Sequence, residues 1–134
     1  MARLLLHPDE LVIELTMREK ALALRKQDIV VPRDAIRSAV ISDDPWVWVR
    51  GVPHPGTHIL PLFATGTWKF HGGSDFLLIR GRRRSAVVGI DPELAEKGGS
   101  PDRFQRIIIT TSHAADLVAS LRLATTDSLD VLEL

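Results

Sequence analysis

The sequence predicts an α+β fold: an antiparallel barrel, or two orthogonal sheets of about seven strands, capped by one C-terminal helix. Three observations predict it. Most apolar runs before residue 110 are short and are set off by glycine, proline or aspartate, which is the punctuation of strands. The clearest helical stripe comes late, where Ala114, Leu117, Val118 and Leu121 recur at i, i+3, i+4 and i+7. That stripe follows directly on an expected strand, Phe104 to Thr110, so one helix must cover apolar surface made by a sheet.

Composition sets the class. A chain of 134 residues is expected to form a single domain over 1–134, with a core over residues 9–123 and a loose or docked tail over 125–134. Its formal net charge is zero, so no global field draws it to nucleic acid, and no nucleic-acid partner is expected. It has no cysteine, which excludes disulfides and thiolate chemistry and makes the cytoplasm the expected compartment. Leu4, Leu5 and Leu6 are too few for a signal-peptide core of roughly 7–15 apolar residues.

Taken in order, the elements are as follows. Asp9 to Lys26 has helical composition, but Leu11, Ile13, Leu15 and Met17 alternate, and Leu22 and Leu24 continue the period of two. A hairpin turning at Arg18-Glu19 is therefore expected. Asp28 to Pro32 is a short β-branched strand. Ala35 to Ser42 is a strand with Ile36, Ser38 and Val40 on one side. Asp43-Asp44-Pro45 signals a turn or a helix start. From Pro45 to Pro61, four prolines and two glycines predict a helical turn or short strand at Trp46–Val49 and then a long loop. Leu62 to Phe70 is a strand whose Gly66 suggests a bulge or close backbone packing. Phe76 to Arg80 and Ser85 to Ile90 read as a hairpin joined across Gly81 to Arg84. Asp91 to Arg103 is a polar loop with a helical turn at Pro92–Glu96. The final helix is expected over Ser112 to Leu123, with Ser112 as N-cap, Thr111 and His113 as the neighbouring alternatives, and Arg122 at its C-terminal end.

Several phrases carry a resemblance. They are the opening hairpin ending in Ile29-Val30-Val31-Pro32 with Ile36 following, Arg50-Gly51-Val52, Pro55-Gly56-Thr57, Gly66-Thr67-Trp68, Asp75-Phe76 and Arg83 to Asp91. With the closing strand and helix, the chain resembles an uncharacterised bacterial family with a pleckstrin-homology-like (PH-like) fold. The resemblance implies a non-catalytic binding or scaffolding module and no catalytic residue. Lipid-binding PH domains hold phosphoinositides with a Lys/Arg pattern on the first hairpin. Arg18, Lys20 and Arg25, with Glu19 among them, do not reproduce it.

Candidate site residues fall into a few groups. Arg80, Arg82, Arg83 and Arg84 form the densest local charge, suited to phosphate or an anionic lipid surface, or else a solvated tip that discourages edge aggregation. Trp46, Trp48 and Trp68 would supply a contact patch for a peptide or protein, or pack the core. His54, His58 and His71, with Asp75 or Asp43, have ligand chemistry, but Pro55-Gly56 rules out one helical face and no metal motif appears. Ser112, His113 and Asp116 have the residue types of a hydrolase triad without its spacing, and cap chemistry accounts better for Ser112. No glycine pattern forms a phosphate loop. The expectation is a cytoplasmic, non-enzymatic module that uses no cofactor and no metal. Its partner would be a protein or peptide, held in a groove between a sheet edge and the terminal helix. The alternatives are anionic-lipid or phosphoinositide binding through the Arg80–Arg84 hairpin tip, with a weak membrane-surface contact, and a small metal-dependent enzyme using the loop histidines.

Overall fold

The computed structural model describes residues 3–59, 62–100 and 102–121, with the backbone alone for residues 54–59. Among the described residues nine strands make two sheets: a three-stranded sheet in the order β1-β2-β3 and a six-stranded sheet in the order β4-β8-β9-β7-β6-β5. The strands are β1 (Arg3–Leu6), β2 (Glu10–Glu14), β3 (Ile29–Pro32), β4 (Ile36–Ser42), β5 (Val52–Ile59), β6 (Phe63–Phe70), β7 (Gly73–Arg80), β8 (Ser85–Ile90) and β9 (Arg106–Thr110). Helix α1 is Met17–Ala23, α2 is Pro92–Lys97, and α3 covers 114–121. The class is α+β with a C-terminal helix, but the sheets do not close into a barrel and the strands exceed the expected seven. Among the described residues no helix is long and apolar enough to cross a membrane.

The main core fills the space between the two sheets. Leu11, Ile13, Ile29 and Val31 from the small sheet meet Phe76, Leu78, Val88, Ile107 and Ile109 from the large one. Ala114, Leu117, Val118 and Leu121 of α3 close the same cluster, so the predicted apolar stripe does face a sheet core. The opposite face of the large sheet carries a smaller core of Ala64, Trp68, Leu77, Ile79, Val87 and Ile108. The 3-10 turn Pro45–Trp48 lies over it, with Trp46 and Trp48 packed against it. Asp44 starts that turn by accepting a hydrogen bond from the Trp46 N–H, as the Asp-Asp-Pro signal implies.

Five expectations need correction. The hairpin over Asp9 to Lys26 is a strand followed by a helix. Alternation holds through Leu15, and then Thr16 and Glu19 form a reciprocal capping box that starts α1. The strand β2 pairs instead with β1 before it and β3 after it.

The hairpin joining Phe76–Arg80 to Ser85–Ile90 does not form, because β9 lies between those strands, parallel to β7 and antiparallel to β8. Ile107, Ile108 and Ile109 are each at most 1 % exposed, and three consecutive buried residues need a sheet interior with both faces covered.

The long loop after Pro45 contains β5. Prolines are tolerated there because β5 is an edge strand, with a bulge between Pro53 and Gly56. Gly66 pairs with Gly56 where the register resumes and takes φ +123°, so the irregularity expected there is present at Gly66 as well as in its partner strand. Along β4 a bulge at Arg37 breaks the alternation, so Ile36 packs on the main core and Val40 on the smaller one. At the start of α3, the first helical bond is Leu117 N–H to His113 C=O. The hydroxyl acting there belongs to Thr111, which accepts from the His113 N–H, so Ser112 is not the cap. Leu123, Arg122 and the tail over 125–134 lie outside the described residues.

Candidate functional site

A groove lies between the edge strand β1 and α3. The register of β1 on β2 pairs Arg3 with Glu14 and Leu5 with Val12, and the His7 N–H donates to Glu10 C=O. Antiparallel pairs alternate between bonded and non-bonded, so Arg3, Leu5 and His7 bond inward to β2. Leu4 and Leu6 then turn their N–H and C=O groups away from the sheet, toward the side where no described strand pairs. Their side chains pack on the main core. Beside them α3 contributes Leu117, with His113, Asp116 and Ser120 along the rim, around a groove of about 210 Å³. His113 Nδ1 stands 4.0 Å from Asp116 Oδ2, and both side chains are exposed. Among the described residues His113 makes no side-chain hydrogen bond to Ser112, and Asp116 approaches it only at that exposed contact.

The arginine cluster divides. Arg80 turns back to ion-pair with Glu19 at 3.3 Å, a carboxylate only 1 % exposed. Arg84 pairs with Asp43 at 3.4 Å across exposed surface. Arg82 and Arg83 are exposed and make no ion pair among the described residues. Trp46 docks on this tip by donating its indole N–H to Gly81 C=O at 2.9 Å, between Arg80 and Arg82 in the chain.

Trp48 and Trp68 serve the smaller core and a charged network at its margin. Asp75 is fully buried, accepts two hydrogen bonds from Arg50 at 2.7 and 3.0 Å, and lies 3.6 Å from Arg106 Nε. Arg50 stacks 3.9 Å over the Phe70 ring, and Arg106 stands 5.4 Å from the Trp48 ring and donates to its carbonyl. This network holds the 45–52 connection on the sheet, and it commits Asp75 to arginine. Glycine is required in that connection at Gly51, where φ is +81° and a Cβ would lie 2.2 Å from the Lys69 carbonyl oxygen. Of the candidate metal ligands, His54 and His58 have side chains outside the described residues. Among the described residues no three His, Asp or Glu side chains gather as a metal site.

A second, polar cleft of about 770 Å³ runs past Arg37, Arg50 and Arg103. Its cations are already taken: Arg37 bonds Asp91, Arg50 bonds Asp75 and Arg103 bonds Glu96. The Arg37 hydrogen bond holds the Asp91 carboxyl below its ordinary range, helped by the Glu93 and Leu94 amides and opposed by burial.

The edge residues Leu4 and Leu6 were not singled out by sequence, because three leucines read only as too short for a leader. Their signal is the pairing of Leu4 and Leu6 at a period of two. No protein-family model, curated protein or solved structure matches the chain.

Proposed function

We propose that this chain is a non-catalytic binding module that takes an extended segment of a partner protein as an added strand on β1. The observation that carries the reading is the outward-facing backbone of Leu4 and Leu6 beside the groove under α3. Main-chain hydrogen bonds to Leu4 and Leu6 would supply affinity. Alternate side chains of the segment would enter the groove against Leu117, with a basic residue opposite Asp116. The PH-like resemblance supports the same reading by analogy, through Pro55-Gly56-Thr57 and Gly66-Thr67-Trp68. A cysteine-free chain fits a cytoplasmic setting. The membrane-surface alternative is the weaker one, because Glu19 and Asp43 pair with two of the four arginines.

The test is a displayed library of extended peptides panned on the protein. The selected peptide is then titrated against Leu6→Pro and Leu6→Ala. Leu6→Pro removes an outward N–H without touching the β2 ladder, and Leu6→Ala keeps it. The proline variant should lose at least about tenfold in affinity beyond the alanine variant. Equal losses, or selected peptides that protect no β1 amide from exchange, would reject the reading.

A further inference from the structure

Sheet edges that are to stay unpaired carry a proline, a bulge or a charge that turns other strands away. Among the described residues, β5 has Pro53, Pro55 and the bulge between Pro53 and Gly56, and β4 has the bulge between Ile36 and Ser38. A third edge, β3, ends in Pro32, and its Val30 carbonyl accepts a hydrogen bond from the Ser100 hydroxyl at 2.9 Å. The remaining edge, β1, has none of these devices along Leu4-Leu5-Leu6, and the charge at its start, Arg3, stands 3.9 Å from Glu14.

The outer face of the small sheet adds a second observation. The registers set Leu5 beside Val12 and Val12 beside Val30. Their neighbours Leu11, Ile13, Ile29 and Val31 fill the main core, so alternation turns Leu5, Val12 and Val30 to the outer face. There they form a half-buried apolar row between polar ones, Arg3 with Glu14 on one side and His7 with Glu10 on the other. The row crosses the sheet and stops at the β1 edge with Leu5.

We propose that the strand added to β1 is β1 of a second copy of this chain, in a two-fold dimer whose axis passes Leu5. The inference rests on the reading of β1 as a strand-accepting edge and names the partner. With Leu5 on the axis, Leu4 lies opposite Leu6 of the second copy, and Leu6 opposite its Leu4. These are the residues whose N–H and C=O groups face outward, so each group finds its complement. Leu5 then faces Leu5 as a non-hydrogen-bonded pair, where side chains stand closest, and the two apolar rows join into one. Neither neighbouring register does this. Centring on Leu6 sets Leu4 against Pro8, which has no N–H, and Leu5 against His7. Centring on Leu4 sets Leu5 against Arg3. The Leu5-centred contact is self-complementary, as a two-fold interface must be. It is also small, because β1 has four residues, so the dimer is weak and a better-fitting partner segment displaces it.

Sedimentation velocity of the full chain, from about 5 to 500 μM, should show monomer giving way to dimer with a dissociation constant on the order of 100 μM. Leu6→Pro should weaken the dimer at least about tenfold more than Leu6→Ala does. The deciding variants are Leu5→Lys and Leu5→Glu, with circular dichroism as the check that both fold. Each sets like charges directly opposite at the axis and should stay monomeric at about 500 μM. Mixed in equal amounts, they should recover a dimer within about threefold of the wild-type affinity. A wild-type chain that stays monomeric to about 500 μM while a selected peptide protects the β1 amides would overturn the dimer and leave the strand-accepting edge standing. A dimer that persists in either Leu5 variant alone, or a mixture that stays monomeric, would overturn the axis at Leu5.

Discussion

At the scale of single residues, Leu24 shows how one backbone angle is tolerated. It ends α1 with φ +55° and ψ +43°, and its N–H closes onto Ala21 and Lys20 carbonyls. A side chain in this left-handed conformation costs roughly 1–2 kcal/mol, and glycine avoids that cost. Leu24 is 67 % exposed, so little apolar burial is lost with it. Against this, glycine gains freedom in the unfolded chain worth about 0.5–1 kcal/mol. Leu24→Gly should therefore raise stability by up to about 1 kcal/mol in a urea melt, and Leu24→Ala should bring no gain. A glycine variant less stable than the alanine one would show that the left-handed strain here is smaller than the chain freedom glycine gains on unfolding. Legibility at this scale is uneven. The Thr16-x-x-Glu19 box is written in the sequence, but the alternation of Leu11, Ile13 and Leu15 runs up to it and hides the change from strand to helix. The Thr65 hydroxyl, which has no hydrogen-bond partner among the described residues, is not written there, because its surroundings depend on which strands flank β6.

Among elements, α3 was legible because its face is set by spacing alone. Leu117 and Leu121 are 7 % and 4 % exposed within the main core, and Ser120 is exposed. Truncating either leucine to alanine should cost about 2–5 kcal/mol through lost burial and the cavity left behind. Ser120→Ala should stay within about 0.5 kcal/mol, and equal shifts at all three sites would mean α3 does not cap the core. The order of β7, β8 and β9 was not legible. Two strands joined by Gly81–Arg84 look like a hairpin whether or not a later strand enters between them, and only the unbroken Ile107–Ile109 run hints at it. The start of α2 makes a pH prediction. Asp91 caps α2 through the Glu93 and Leu94 amides and also bonds Arg37. Its pKa is lowered from 3.8, so its contribution is present above the unfolded value and is lost as pH falls through the lower folded one. Asn keeps the cap but gives up the charge. Stability measured from pH 6 to pH 2 should fall more steeply for the wild type than for Asp91→Asn below about pH 4. Parallel curves would mean the Arg37 pair does not contribute.

For the whole molecule, the question is whether two cores fold as one. The main core joins both sheets and α3, and the smaller core lies on the far face of the large sheet under Pro45–Trp48. They share their central strands. On β9, Ile107 and Ile109 belong to one core and Ile108 to the other, and on β7, Phe76 and Leu78 alternate with Leu77 and Ile79. Neither core survives loss of those strands, so unfolding should be a single cooperative event. The tryptophans make this measurable. The chain has three, and Trp68 is in the smaller core while Trp46 and Trp48 pack against it. Fluorescence therefore reports the smaller core, and far-ultraviolet circular dichroism reports both sheets. In urea the two signals should share one midpoint. Leu117→Ala touches only the main core, yet it should lower the fluorescence midpoint by the same amount as the dichroism midpoint. Were fluorescence to keep the wild-type midpoint while dichroism shifted, the smaller core would be a separate cooperative unit, and β9 would not couple the two faces of its sheet.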